Sequence, residues 1–418
     1  MLSRYYHAEA AAARIREIRD GLAGTFIEGF AEALFQSGYA EITARKHIRS
    51  AEHIVRWAGR RSLFVFDLDD RALWRFRQHL IRCHCGRYAC ANRLEVIAGA
   101  RLFLQHLHGL TEPPIKERAV AGSDPPVLEE FREWMRAERG TQELTLYNYS
   151  IPIRALLRDC GEDPRRLNAR RLRRFVLKQS RGVSRWLAQR CTTALRMFLR
   201  FLISGSRCRA GLLGAIPVLA HWRLSSLPRY LEPEAIERII DSCDTSSRVG
   251  KRDRAILLLL GRLGLRAGDI VQMRLQDIDW KGASIRVAGK GRWQTQLPLS
   301  QEVGQAVVTY LQHARPPTST DALFLRSRAP FRGFRSHAAV SVIVSTAIRR
   351  AGIKRPSRGA AHLLRHSIAT TMLRRGASLQ EISALLRHRS TETTQIYAKV
   401  DVRGLQQIAQ PWPEVRSC

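Results

Sequence analysis

A chain of 418 residues is too long for one ordinary core and predicts two or three domains of roughly 100–200 residues each. Its formal net charge of +33, its 45% hydrophobic content and its eight cysteines without a Cys-x-x-Cys pair exclude a disulfide-stapled scaffold and a disordered basic tail. No apolar run approaches the roughly 18 residues that a bilayer span needs, and the densest, Ala255 to Leu260, excludes membrane insertion.

So large an excess of cations repels itself in a compact state, and nucleic acid is the polyanion that most commonly compensates it, through counterion release. Codon bias can account for 62 arginines against 8 lysines, but not for so few acidic residues, so DNA or RNA is the expected partner. Met1 to Asp20 carries Arg14, Arg16 and Arg19 but neither the apolar stretch nor the cleavage site of a secretory signal. A reducing, cytoplasmic setting is expected.

Residues 1–115 read as a first helical DNA-binding module, in which Ile48, Ala51, Ile54, Val55 and Ala58 share one helix face. Cys83-His84-Cys85 with Cys90 offers soft ligands but lacks a matching second pair. Reduced thiols at a helix end are the simpler account, so no metal and no other cofactor is expected. Thr111 to Val127, with Pro113-Pro114 and Pro125-Pro126, reads as a linker.

Residues 125–210 read as a second helical, core-binding module, with Leu146, Tyr149, Ile153, Leu156 and Leu157 on one face and Thr145 placed to cap. The two modules resemble each other. Leu68, Arg71, Leu73 and Phe76 fall on Leu167, Arg170, Leu172 and Phe175 at an offset of 99, and Arg101, Phe103, Leu104 and Leu107 fall on Arg196, Phe198, Leu199 and Leu202 at an offset of 95. A duplicated clamp is expected; the alternative is chance similarity between two bundles. From Pro164 to Arg200 there are twelve Lys/Arg residues and no acidic one, with Phe175 and Trp186 interleaved. Arg170, Arg171, Arg173, Arg174 and Lys178 recur at helical spacing, a stripe suited to a phosphate backbone.

After a second linker, Gly205 to Arg229, the texture changes. Pro233 and Glu234 open a helix, Arg252 to Leu260 forms a buried one, and Asp277 to Leu299 turns strand-like. A hairpin is expected with Lys281-Gly282 at its turn, followed by a second turn at Gly289-Lys290-Gly291 and a strand through Gln296 to Leu299. Helices then resume. His362 and Arg365, three apart, share one face of a helix running toward Gly376, a C-terminal stop, whereas His366 is expected to point elsewhere in a structural role. Ser378 and Glu381 form a capping box, from which Ile382, Leu385 and Leu386 lead to His388.

Gly264-Leu265-Arg266-Ala267-Gly268-Asp269, Gly289-Lys290-Gly291, His362-Leu363-Leu364-Arg365-His366 and Leu386-Arg387-His388 are followed by Tyr397. In this order, over roughly 130 residues, they resemble the tyrosine recombinases, or phage integrase family. The resemblance extends through about residues 228–410. It implies a mostly α fold with a small antiparallel sheet: tandem helical, SAM-like core-binding modules followed by a mixed α/β catalytic domain.

The implied activity is site-specific cleavage and rejoining of double-stranded DNA through a 3′-phosphotyrosyl intermediate, without metal, for integration, excision or transposition of a mobile element. Arg266 and Arg365 suit the non-bridging oxygens of a crowded transition state, because guanidiniums are planar and permanently charged. His362 is the acid/base candidate, since an imidazole titrates near neutrality. The resemblance makes His388 a phosphate donor, Lys290 the acid that protonates the departing 5′ hydroxyl, and Tyr397, on a short helix begun near Thr391, the nucleophile. It also implies a homo-tetramer on paired sites, alone or with other recombinases of the class, and a C-terminal segment with Leu405, Ile408 and Trp412 that docks on a neighbour. A bacterial cytoplasmic, nucleoid-associated location follows. The family usually has glycine where Arg387 stands, and Trp293 and Thr295 replace residues that are often basic. The rivals are a type IB topoisomerase, which only swivels one strand, and a non-catalytic DNA-binding accessory protein.

Overall fold

The computed structural model describes residues 2–6, 9–21, 23–85, 88, 92–109, 124–161, 163–218, 228–288, 294–354, 359–388 and 390–400. They fall into two compact units, one drawn from Met1–Pro113 with Ser226–Cys418 and the other from Pro114–Ser225. Among the described residues no helix is long and apolar enough to cross a membrane.

The first unit begins with helices α1 (Glu9–Arg19), α2 (Gly24–Gln36), α3 (Glu41–Gly59), α4 (Asp70–His79) and α5 (Arg93–Leu107). The expected face of α3 is the buried one: Ile48, Ala51, Ile54, Val55 and Ala58 pack with Phe30, Phe76 and Phe103 in one core. The other unit holds α6 (Pro126–Arg139), α7 (Glu143–Cys160), α8 (Ala169–Ser180) and α9 (Arg185–Ser204) around Phe131, Phe175 and Phe198. Thr145 is not a cap. It lies inside α7, whose N-cap position is Gln142, because the helix starts one turn earlier than its apolar stripe.

The repeated residues sit in repeated local structure. A 3₁₀ turn at Val65–Asp67 leads through Leu68 to α4, capped by the Asp69 carboxylate on the Ala72 N–H; a turn at Pro164–Arg166 leads through Leu167 to α8, capped by the Asn168 side-chain oxygen Oδ1 on the Arg171 N–H. Each cap satisfies one otherwise unpaired helix N–H. Leu68, Leu73 and Phe76 are buried like their counterparts Leu167, Leu172 and Phe175. The stripe residues Arg170, Arg171, Arg173, Arg174 and Lys178 are all exposed on α8, with Lys178 paired to Asp159 at 2.9 Å. Phe175 faces the core, whereas Trp186 is exposed beneath the Arg190 guanidinium.

The remainder of the first unit comprises α10 (Pro233–Asp241), α11 (Arg248–Arg262), α12 (Ala267–Gln272), β1 (Ile278–Asp279), β2 (Ser284–Ala288), β3 (Gln294–Pro298), α13 (Gln301–His313), α14 (His337–Arg350), α15 (Ala360–Arg374) and α16 (Leu379–Leu386). Pro233 occupies the first turn of α10, and α11 starts before the expected Arg252, capped by Ser247. The sheet is antiparallel in the order β1-β2-β3. Its first connection differs from the expected two-residue turn: pairing of Asp279 with Ser284 leaves residues 280–283 as the loop. The Asp279 carboxylate accepts the Gly282 N–H at 2.9 Å, and Ala283 takes a φ of 42°, so an aspartate turn replaces the tight hairpin. Helix α11, with Ile256 through Leu260 fully buried, is the spine against which the sheet and α13 to α15 pack.

Candidate active site

Four local devices bring the motif residues together. Helix α11 ends at Arg262, and two residues on Gly264 takes a left-handed φ of 59°, where a Cβ would stand 2.8 Å from the Leu386 side chain, which favours glycine. Arg266 follows at the start of α12, its backbone N–H held by Asp269 at 2.7 Å. Helix α15 carries His362, Arg365 and His366, and stops at Gly376 with φ 92°. The capping box forms as the spacing predicts, Ser378 Oγ accepting the Glu381 N–H and the Glu381 carboxylate accepting the Ser378 N–H, and it launches α16 toward His388.

The two guanidiniums meet at one point. Arg266 Nη2 donates to the carbonyls of Leu386 at 3.3 Å and Arg387 at 3.1 Å, while Arg365 donates to the carbonyls of Leu386 and Gly264. Arg365 is only 5% exposed. Burial, then the charges of Arg266 and Arg387, press its pKa downward, but a delocalised guanidinium stays charged at neutral pH. The carbonyls orient these forks without neutralising them, which preserves their attraction for a phosphate.

Arg387 keeps the turn that a glycine would make, with φ 52° and ψ 51°. It compensates by pairing with Asp269 at 2.6 Å, both side chains being under a tenth exposed. Its Nε and Nη1 are buried with no partner among the described residues. Three guanidiniums thus gather here with one carboxylate, two of them donating to the Leu386 carbonyl, which leaves the pocket positive.

Tyr397 lies in a short 3₁₀ helix, Gln395–Val400, that follows another at Thr391–Thr393, where the sequence places the start of a short helix. Its ring is 1% exposed, packed with Ala369, Ile382 and Leu386. The hydroxyl sits 2.8 Å from His366 Nδ1. This corrects the expectation that His366 points away: it lies four residues after His362, hence on the same helical face, and the two rings are 6.4 Å apart. Thr394 was also missed in the sequence. Its hydroxyl meets His388 Nδ1 at 2.8 Å, and its carbonyl accepts the Tyr397 N–H at 3.0 Å, so one buried residue orients two motif side chains.

Desolvation, followed by neighbouring positive charge, lowers His362 and takes His366 and His388 down to about 4. Desolvation pushes the Tyr397 phenol up to about 12, with Arg365 acting in the opposite sense. At neutral pH the site therefore presents neutral imidazoles to a protonated phenol. Lys290, Leu405, Ile408 and Trp412 lie outside the described residues; β2 and β3 flank the Lys290 turn.

The model of the phage integrase family matches residues 229–403. A Sinorhizobium fredii protein, "Putative integrase/recombinase y4rA", is 33% identical over 94% of this chain and 95% of its own length. This chain belongs to the phage integrase family. It is a tyrosine site-specific recombinase that acts on DNA. Tyrosine recombinase XerC of Pseudomonas aeruginosa is 31% identical over 66% of this chain and 91% of its own length. In fold, the recombinase is similar to XerH bound to palindromic difH substrate, with TM-score 0.54 and 18% identity over 80% of this chain and 93% of that one. It is also similar to a lambda integrase dimer bound to a core site, with TM-score 0.53 and 18% identity over 69% and 98% of the two chains.

Proposed function

We propose that Tyr397 is the nucleophile of this recombinase and that His366, rather than His362, receives its proton. The observation that carries this reading is the 2.8 Å contact between the Tyr397 hydroxyl and His366 Nδ1, beside the guanidinium pair of Arg266 and Arg365. The phenolic oxygen attacks phosphorus, its proton passes to the neutral imidazole, and the 5′ oxygen departs with a proton from Lys290. Arg266, Arg365 and His388 hold the non-bridging oxygens, where charge grows in the transition state. His362, at the mouth of the same helical face, serves as a further phosphate donor or proton relay. The 3′-phosphotyrosyl ester keeps the energy of the broken bond, so rejoining to another strand requires neither ATP nor metal.

Residues 1–115 and 125–210 are proposed as two DNA-clamping modules, and 228–410 as the catalytic domain. The matching capped helices α4 and α8 support a duplicated clamp, and the exposed arginines of α8 support its contact with phosphates. The working form is a homo-tetramer on paired sites, docked through residues 402–418, in the bacterial cytoplasm, moving a mobile element. Deleting residues 402–418 is then expected to weaken assembly more than monomer binding.

Covalent trapping tests the assignment. Wild type and Tyr397→Phe are incubated with nicked duplexes covering the ends of the encoding locus, without Mg²⁺, and SDS-resistant adducts are sought. A wild-type-only adduct supports the nucleophile; adducts from both proteins, or from neither despite tight binding, overturn it. His366→Gln is expected to form adducts far more slowly than wild type, and His362→Gln less so. Strand-relaxation without recombinant product identifies swivelling as the activity.

A further inference from the structure

Far in sequence from the catalytic motifs, four metal-ligating side chains converge. His53 on α3, His79 at the end of α4, and Cys83 and Cys85 in the segment that follows have ligand atoms that all lie within 4.8 Å of one another. His53 Nε2 is 3.4 Å from Cys83 Sγ, and His79 Nε2 is 3.4 Å from Cys85 Sγ. In a tetrahedral zinc site with Zn–S near 2.3 Å and Zn–N near 2.0 Å, the N···S edge is about 3.5 Å. Both pairs are already at that spacing.

We propose that the first helical module binds one structural zinc ion through His53, His79, Cys83 and Cys85. Binding forms two Zn–S and two Zn–N bonds and releases the two thiol protons to solvent, so two thiolates balance the dication. Sulfur and imidazole ligands in a closed set of four favour zinc over the hard cations, which prefer oxygen.

The surroundings are built to hold the rings. His53 is 2% exposed, stacked on Tyr88 at 5.2 Å and edge-on to Phe76 at 5.0 Å. Arg60 Nη1 reaches Cys85 Sγ at 3.8 Å, a position from which it stabilises thiolate charge. The ion would pin the chain after α4, just beyond the short 3₁₀ turn Leu80–Arg82, onto α3. His84, between the two cysteines, is exposed and outside the cluster, and Cys90 lies outside the described residues. The sequence lacked a second cysteine pair because the remaining ligands are imidazoles from two helices.

The test is metal content of the full chain purified without chelator, followed by exchange with Co(II). About one zinc per chain is expected, and the cobalt form is expected to show a thiolate-to-cobalt charge-transfer band with the intense visible bands of a tetrahedral N₂S₂ site. Cys83→Ser/Cys85→Ser is expected to lose both signals and His84→Ala to keep both. A chelator is expected to lower the melting temperature of wild type but not of the double variant. If the double variant fails to fold, His79→Ala carries the same comparison, with weakened thiolate-cobalt spectra. Wild type that retains no zinc and gives no tetrahedral cobalt spectrum, while folded and binding DNA, overturns the proposal and leaves paired thiol–imidazole hydrogen bonds.

Discussion

The departure at Arg387 offers a quantitative test, because two opposing terms act on one residue. A non-glycine residue in the left-handed region costs about 1–2 kcal/mol, and Arg387→Gly recovers that at φ 52°. The same substitution breaks the ion pair with Asp269, whose side chains are 5% and 9% exposed, and removing one partner of a buried pair costs about 3–5 kcal/mol. The net expectation is a loss of about 1–4 kcal/mol. Asp269→Asn keeps an acceptor for the Arg266 N–H but strips the charge that compensates Arg387, whose Nε and Nη1 already lack partners. With no backbone gain to offset it, this variant is expected to lose the full 3–5 kcal/mol or so. The double variant is expected to be more stable than Asp269→Asn alone, since it no longer buries the Arg387 guanidinium without its carboxylate partner. Because a multi-domain chain does not unfold as one unit, hydrogen-exchange mass spectrometry over the peptides of α12 and α16 in increasing urea is the suitable assay. An Arg387→Gly protein as stable as wild type there, or additivity of the two substitutions, would falsify the view that the ion pair compensates the turn.

Acid titration gives a second check. With folded values near 4 against an ordinary 6.5, His366 and His388 contribute stability that is present above pH 6.5 and lost as the pH falls toward 4. His366→Gln is expected to flatten that slope; unchanged slopes refute burial of the neutral ring. On the alkaline side, the raised Tyr397 phenol contributes stability present below pH 10 and lost as the pH climbs toward 12, so Tyr397→Phe is expected to resist alkali better. Replacing Arg170, Arg173 and Arg174 by Glu is expected to reduce the salt slope of DNA binding by roughly 2–3, at about 0.9 per phosphate contact. An unaltered slope removes α8 from the interface. Ser378→Ala is expected to destabilise α16 by about 1 kcal/mol, read as a shift in its urea midpoint.

Those features legible in the sequence are the ones governed by short-range rules. The capping box at Ser378 and Glu381, the proline at the start of α10, the stop at Gly376 and the burial of Leu68 and of Leu167, each just before its own helix, all depend on neighbours a few residues away. What escaped depends on distance or on competing local chemistry. The Lys281-Gly282 turn yielded to the Asp279 side chain, which captures the Gly282 N–H and lengthens the loop. The left-handed turn at Arg387 is held by a carboxylate more than a hundred residues earlier in the chain. His366 is the instructive case, because half of its placement was available: four residues after His362 means the same face of α15. The other half, a 3₁₀ turn that returns Tyr397 to that face, depends on Thr394 and on packing against Ile382 and Leu386. A motif can therefore indicate which residues carry the chemistry while leaving open which of them touch. In this recombinase the phenol and its neighbouring imidazole are joined only once α15, α16 and the final turn have packed together, so variants that loosen α16 are expected to slow cleavage without altering any of the six motif residues.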